Sequence, residues 1–243
     1  MIKAILFDLD ETLLDIDLDK FIKRYFQRLC NHLEGFVDPK TFEQNLWAST
    51  GAMVKNNNPR LTNQEAFLKH FYTWMEHPHE KVWPLVDQFY EQVFPTLQGD
   101  SCPFPEIADI FAYLTELDLK LVLATNPIFP RSAIIHRLKW CQLDPNDFAL
   151  ITSYEIMHYT KPNPKYYEEI AAMINVAPQN CLMIGNDYDL DIEPAATAGM
   201  KTFYLDAGCA ELDPEKACGN WTHILPYIQA LTSQGDEQRK ANS

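Results

Sequence analysis

The sequence predicts an α/β fold: a doubly wound parallel sheet interrupted, after its first strand, by an inserted all-α helical unit. Three observations predict it. Short apolar runs alternate with helical patterns from Pro103 onward, the order that lays parallel strands beside crossover helices. An isolated apolar run, Ile2–Phe7, stands at the other end of the chain. Between the two, residues 16–99 carry helical periodicity. The expected boundaries are 1–15 and 100–232 for the α/β core, 16–99 for the helical insertion and 233–243 for a polar, frayed tail.

Ile2–Phe7 is β-branched, apolar and too short for a free-standing helix, so it reads as a strand. Asp15–Asp19 is an acidic linker. Within the insertion, Phe21, Tyr25 and Leu29 recur at helical spacing, as do Phe67, Phe71 and Trp74, and Val82, Val86, Phe89 and Val93. Turn-forming residues at Gly35–Pro39, Asn56–Pro59, His77–His79 and Pro95–Gly99 divide the segment into four helices. Its aromatic residues, Trp47, Trp74 and Trp83 among them, read as core. The second part reads as helix Glu106–Leu117, strand Leu119–Ala124, helix Arg131–Cys141, strand Phe148–Ile151 and helix Lys165–Ile174. Strand Cys181–Ile184, helix Ile192–Ala198, strand Lys201–Leu205 and helix Ile224–Leu231 follow.

Composition excludes several classes. Hydrophobic residues make up 47% and charged residues 22% of 243 residues, ordinary material for a globular core. A net charge of −14 argues against nucleic acid or an anionic membrane as partner, since either needs a basic surface. Six cysteines without a C-x-x-C pair, and an N-terminal apolar run cut short by Asp8, point to reduced thiols in a cytoplasmic protein with no secretion signal or membrane span.

The chemistry begins where the first strand ends. Asp8 and Asp10 flank Leu9, and alternation along an extended chain puts the two carboxylates on one side. In an open α/β sheet the C-terminal strand ends are where ligands sit. Like charges so close require a cation or a shared proton, and a hard cation with oxygen ligands, Mg²⁺ above all, meets that need. Farther on, Leu119–Ala124 runs into Thr125-Asn126-Pro127, a common turn whose hydroxyl and backbone N–H groups can also donate to a phosphate. Lys161 sits in a loop stiffened by Pro162 and Pro164; a lone lysine is ordinarily a solvated surface charge. Strand Cys181–Ile184 leads into Gly185-Asn186-Asp187-Tyr188-Asp189-Leu190-Asp191, three acids on one turn.

Taken in order, Asp8-Leu9-Asp10-Glu11-Thr12, strand-end Thr125, Lys161-Pro162 and Asp187…Asp191-Ile192 resemble the four motifs of the haloacid dehalogenase (HAD) superfamily. The resemblance covers the whole chain as architecture and about ten residues as specific motif. It implies a HAD-like core carrying a helical lid of the first cap class, and a Mg²⁺-dependent phosphohydrolase acting on a small phosphate monoester. In that reading Asp8 is the nucleophile, Asp10 the general acid and base, and Lys161 a catalytic cation. Thr125, Asn126 and Lys161 bind phosphate, and Asp8, the Asp10 carbonyl and Asp187 hold the metal. Asp191, Asn186 and Thr12 support them from behind, and Asp189 is solvated. One departure is Asn186, which separates Gly185 from Asp187 where many members have glycine directly before the acid.

Other activities of the superfamily are weighed by residue. Asp10 disfavours a dehalogenase, because the resemblance implies no acid at that position in those enzymes. A phosphonate hydrolase would need a lid lysine such as Lys20, Lys23 or Lys55, and nothing marks one as buried. A phosphomutase shares the core, and a non-catalytic binding module would be expected to lack part of the set. Arg60 in the polar lid loop is a weak candidate for a second substrate anion, and His77, His79 and His158 show no zinc-like spacing. The substrate's identity and the oligomeric state are left open by the sequence.

Overall fold

A computed structural model describes the backbone of residues 1–241 and side chains through Thr232. The elements in order are β1 (Ala4–Phe7), β2 (Leu14–Asp15), α1 (Leu18–His32), α2 (Pro39–Val54), α3 (Asn63–Phe71) and α4 (His79–Gln88). There follow β3 (Cys102–Pro103), α5 (Ile107–Leu114), β4 (Lys120–Leu123), α6 (Arg131–Trp140), β5 (Leu150–Ile151) and α7 (Pro164–Met173). The chain then forms β6 (Cys181–Gly185), α8 (Glu193–Thr197), β7 (Lys201–Leu205), β8 (Cys218–Gly219) and α9 (Trp221–Ala241). Side chains from residue 233, and residues 242 and 243, lie outside the described set; the backbone of α9 runs on through 233–241, where a frayed tail was expected.

The main sheet has the order β5-β4-β1-β6-β7-β8, with every pair parallel. β1 lies between β4 and β6, so successive strands are added outward on one side of it and then on the other. That reversal opens a crevice at the C-terminal end of β1. Period-two alternation divides β1 between two cores. Ile5 and Phe7 join the apolar cluster that includes Ile107, Ile134 and Ile228 of α5, α6 and α9. Ala4 and Leu6 join the cluster containing Tyr166, Ile170 and Ala195 of α7 and α8. Helices therefore cover both faces, which is why β1 and β6 are buried at every position.

The insertion leaves and re-enters the core side by side. Leu14 pairs with Pro103 and Asp15 with Cys102 in a two-stranded antiparallel ribbon, β2 and β3, absent from the expected pattern because each strand has only two residues. Beyond it stand the four helices α1–α4, broken where the turn-forming residues lie. Asp17 and Asp38 cap α1 and α2 by accepting from the backbone N–H of Lys20 and Thr41, and Thr62 with Glu65 closes a capping box on α3. After α4 the chain widens into a π turn at Phe89–Val93 and tightens into a 3-10 turn at Phe94–Leu97. β8 was not expected either; it too has only two residues.

Aromatic packing joins insertion to core. Phe21 of α1 and Phe94 both lie against Trp140 of α6, at ring-centre distances of 6.1 and 5.7 Å. Phe21 is completely buried. Phe21→Ala is expected to cost about 3–5 kcal/mol, the usual range for deleting a buried aromatic ring, read from urea unfolding of the whole chain. A loss below about 1 kcal/mol would show that this seam does not couple the two parts.

Candidate active site

Each candidate residue is positioned by a strand end or by the loop that follows one. Asp8 follows β1, and its backbone N–H donates to the Ile184 carbonyl of β6 at 3.0 Å. Thr125 lies two residues beyond β4, and Ala124 N–H donates to the Phe7 carbonyl at 2.7 Å. Asp187 lies two residues beyond β6. A cavity of about 530 Å³ opens here, lined among others by Asp8, Asp10, Thr125, Asn126, Lys161, Asn186, Asp187 and Asp191. Thr12 is fully buried and is not part of the lining.

The centre of the site is an ammonium shared by two carboxylates. Lys161 Nζ donates to Asp8 Oδ1 at 2.6 Å and to Asp191 Oδ1 at 2.5 Å, with only 2% of its side chain exposed. Burial works against the lysine's charge, but Asp191 and Asp8 outweigh it and hold the ammonium well above the usual lysine range. Asp191 feels the converse: burial pushes its carboxyl up to about 6, against the pull of Lys161. Gly185 makes room for this arrangement, since a Cβ at that position would fall on the Asp191 carboxylate. Asn163, two residues beyond Lys161, caps α7 by accepting from Lys165 N–H, with Pro164 at the first turn.

Asp10 has a different counter-ion, one that sequence reasoning missed. Arg137 Nη1 donates to Asp10 Oδ2 at 2.5 Å, and the arginine is 1% exposed. Its guanidinium also lies over the Phe129 ring at 4.9 Å. Burial raises the Asp10 carboxyl, Arg137 pulls it down, and Asp8 adds to the rise. Asp10 Oδ1 and the Nε and Nη2 atoms of Arg137 are buried without a partner among the described residues. A signal for Arg137 was available. It falls with Ile134, Leu138 and Cys141 on one helical stripe, where a cation interrupts an otherwise apolar buried face.

The loop after β6 is held by its own side chains. Asp187 Oδ1 accepts from the N–H groups of Asp189 and Leu190, both at 2.9 Å, capping the turn that leads to α8. Asp189 is exposed. Asn186 bridges to the loop after β1: its Oδ1 accepts from the Thr12 hydroxyl at 3.1 Å and its Nδ2 donates to Glu11 at 3.2 Å. Glu11 itself turns the chain with φ +58°. Among the described residues, one carboxylate oxygen each from Asp8, Asp10 and Asp187 do not come within 4.8 Å of one another.

Behind Thr125 stands a second group absent from the sequence-based set. The Thr125 carbonyl accepts from the hydroxyls of Thr152 and Tyr166, both at 2.8 Å, fixing the phosphate-loop candidate from below. From the insertion, Asn63 Nδ2 reaches the carbonyls of Pro127 and Tyr159 at 3.3 and 3.1 Å, beside the two loops bearing Asn126 and Lys161. Arg60 is exposed and outside the cavity lining. His158 is tied to Glu169 through Nδ1 at 2.6 Å.

Comparison with known proteins gives this geometry a context. The family model of haloacid dehalogenase-like hydrolases matches residues 2–199. A glyceraldehyde 3-phosphate phosphatase of Methanopyrus kandleri is 28% identical over 219 residues, covering 86% of this chain and 85% of that protein. A pyrimidine 5′-nucleotidase of Streptococcus pneumoniae is 29% identical, with 84% of each chain covered. Among solved structures, a 2-haloacid dehalogenase from Pseudomonas syringae pv. Tomato shares the fold with a TM-score of 0.61 at 20% identity, over 95% of this chain and all of that one.

Lys161→Met removes the only cation among the described residues that touches Asp8 and Asp191, while keeping a long side chain. It is expected to destabilise the fold by about 3–5 kcal/mol at pH 7, the penalty for stranding buried charge, measured by urea unfolding. A loss below about 1 kcal/mol would show that the two carboxylates do not depend on it.

Proposed function

The chain belongs to the haloacid dehalogenase-like hydrolases and is an enzyme of the phosphatase kind, and on that premise we propose that it hydrolyses a small phosphate monoester through an Asp8 phospho-aspartate, with Mg²⁺ as cofactor. The observation that carries this reading is Asp8 itself: a carboxylate at the switch point of the sheet, one oxygen fixed by a buried lysine, on the wall of a metabolite-sized cavity. Fixing Oδ1 leaves Oδ2 for attack on phosphorus. The named substrates of the two relatives, a triose phosphate and pyrimidine nucleotides, share the phosphate monoester. That common group is the class proposed here.

In the proposed mechanism Asp8 displaces the alcohol while Asp10 protonates the departing oxygen. Asp10 then takes a proton from the water that releases phosphate from Asp8. Arg137 keeps the Asp10 carboxylate in one orientation for both transfers. Lys161, Thr125 and Asn126 surround the phosphoryl oxygens, and catalysis is mostly positioning and electrostatics.

Charge supports the metal. The cavity is lined by seven acids (Asp8, Asp10, Glu11, Asp19, Glu43, Asp187 and Asp191) against Lys23, Arg137 and Lys161. A phosphate dianion would be repelled from such a surface unless a further cation balanced it. The donors are hard oxygens, which suits Mg²⁺. Asp8, the Asp10 carbonyl and Asp187 would hold it, the Asp10 carboxylate being engaged by Arg137. Bound there, the ion would neutralise part of the charge on nucleophile and phosphoryl group.

The helical insertion, residues 16–99, is proposed as a lid. Its two connections run together through β2 and β3, and Leu18, Phe21, Ile22, Phe26 and Trp47 supply its part of the cavity's apolar lining. Closing it would exclude bulk water and place selecting groups over the substrate. Asp10 favours a phosphatase over a dehalogenase: a leaving alkoxide needs a proton, and the departing halide of a haloacid does not.

Phosphate release from p-nitrophenyl phosphate tests the proposal. Turnover is expected with Mg²⁺ and lost with EDTA or Asp8→Asn, and Asp10→Asn should lower kcat by roughly 10²–10⁴-fold. Turnover that survives EDTA and the loss of Asp8 would contradict it.

A further inference from the structure

The connection between β7 and β8 brings together two cysteines that look scattered in the sequence. Cys209 Sγ and Cys218 Sγ lie 2.9 Å apart, closer than non-bonded sulfur atoms ordinarily approach and within about 1 Å of the length of a disulfide bond. Each cysteine is fixed by its own backbone contacts. Cys209 N–H donates to the Asp206 carbonyl at 3.0 Å, and the Cys209 carbonyl accepts from Asn220 Nδ2 at 2.8 Å. Cys218 exchanges two backbone hydrogen bonds with Asp213, at 2.9 and 3.1 Å. The loop is thus folded around the pair without help from a sulfur–sulfur bond, and closing one asks for little movement.

We propose that Cys209 and Cys218 form a reversible dithiol–disulfide pair, oxidised by low-molecular-weight disulfides such as oxidised glutathione. Both side chains are only partly buried, so a small disulfide can reach them. The two sulfurs face each other as one pair, so either can attack first and the other resolve. The thiolate of one cysteine attacks one sulfur of oxidised glutathione, forming a mixed disulfide and expelling one glutathione thiolate. The other cysteine then loses its proton and attacks the protein sulfur of that mixed disulfide, expelling the second. The protein gives up two electrons and two protons, and one glutathione disulfide becomes two thiols.

A soft metal ion is the competing occupant, since Asp206, Cys209 and Cys218 each place a donor atom within 4.8 Å of the others. The sulfur spacing favours the disulfide. Two thiolates on one tetrahedral zinc, each at about 2.3 Å from the metal, stand about 3.8 Å apart, well beyond the 2.9 Å found here.

Peptide mapping of the full chain separates the cases. The reduced protein is incubated with oxidised glutathione, the remaining thiols are alkylated, and trypsin is added; cuts after Lys201, Lys216 and Arg239 place Cys209 in 202–216 and Cys218 in 217–239. The expected product is these two peptides joined, two hydrogens lighter than their sum and separated again by dithiothreitol. Cys209→Ser and Cys218→Ser should each give no joined peptide and a glutathione adduct on the cysteine that is left. Two alkylated peptides, or a glutathione on each, from the wild type would overturn the proposal. So would stoichiometric binding of added Zn²⁺ that both variants abolish, which would make the cluster a metal site.

Discussion

The interaction on which the site depends is the single ammonium of Lys161 held between Asp8 and Asp191 in a buried crevice. Two carboxylates and one lysine leave a net negative charge out of water, which folding tolerates only with short, well-directed contacts. Much of the neighbouring sequence answers to that demand. Gly185 has no side chain because the Asp191 carboxylate fills the place of its Cβ. Asp187 N–H donates to Asp191 Oδ2 at 3.3 Å, and the π turn at Tyr188–Ile192 carries Asp191 back toward the lysine. The opening of the sheet between β4, β1 and β6 supplies the crevice in which all of this is placed.

A second ion pair does for Asp10 what Lys161 does for Asp8. Arg137 reaches it from α6, a helix that also carries Trp140, the residue against which the helical insertion packs. The acid–base candidate and the seam between insertion and core are therefore built from one helix. The loop after β1 is braced on its other side too. Trp221 Nε1 of α9 donates to the Thr12 carbonyl at 2.8 Å and stacks on Phe104, while Asn186 joins Thr12 and Glu11 to the loop after β6. Such bracing holds the carboxylates of Asp8 and Asp10 in place without the stabilisation of a repeating secondary structure.

The parallel sheet and the helical insertion were legible because their signals are periodic. Lys201–Leu205 has the same bounds in structure and sequence reading, and the insertion's breaks fall at the turn-forming residues. The ribbon of β2 and β3 and the strand β8 were not legible, since a two-residue strand has no period. The candidate residues were picked out by their order along the chain, and the fold gathers most of them around one cavity. What order could not convey is partnership: that Arg137 faces Asp10, that Thr152 and Tyr166 brace Thr125, and that Asp187 spends one oxygen capping its own turn. Cys209 and Cys218 are the same case, nine residues apart in sequence and adjacent only after the β7–β8 loop folds.

The central claim is that Asp8 carries the phosphoryl group, and the direct test is to look for that group on Asp8. A single turnover quenched in acid, followed by peptide mass spectrometry, should show one phosphoryl group on the peptide containing Asp8, removed by hydroxylamine as an acyl phosphate is. The signal should accumulate in Asp10→Asn, where the water step lacks its base, and be absent from Asp8→Asn. Phosphate released with no trapped group on Asp8 in any of these proteins, or a group trapped on another residue, would contradict the account.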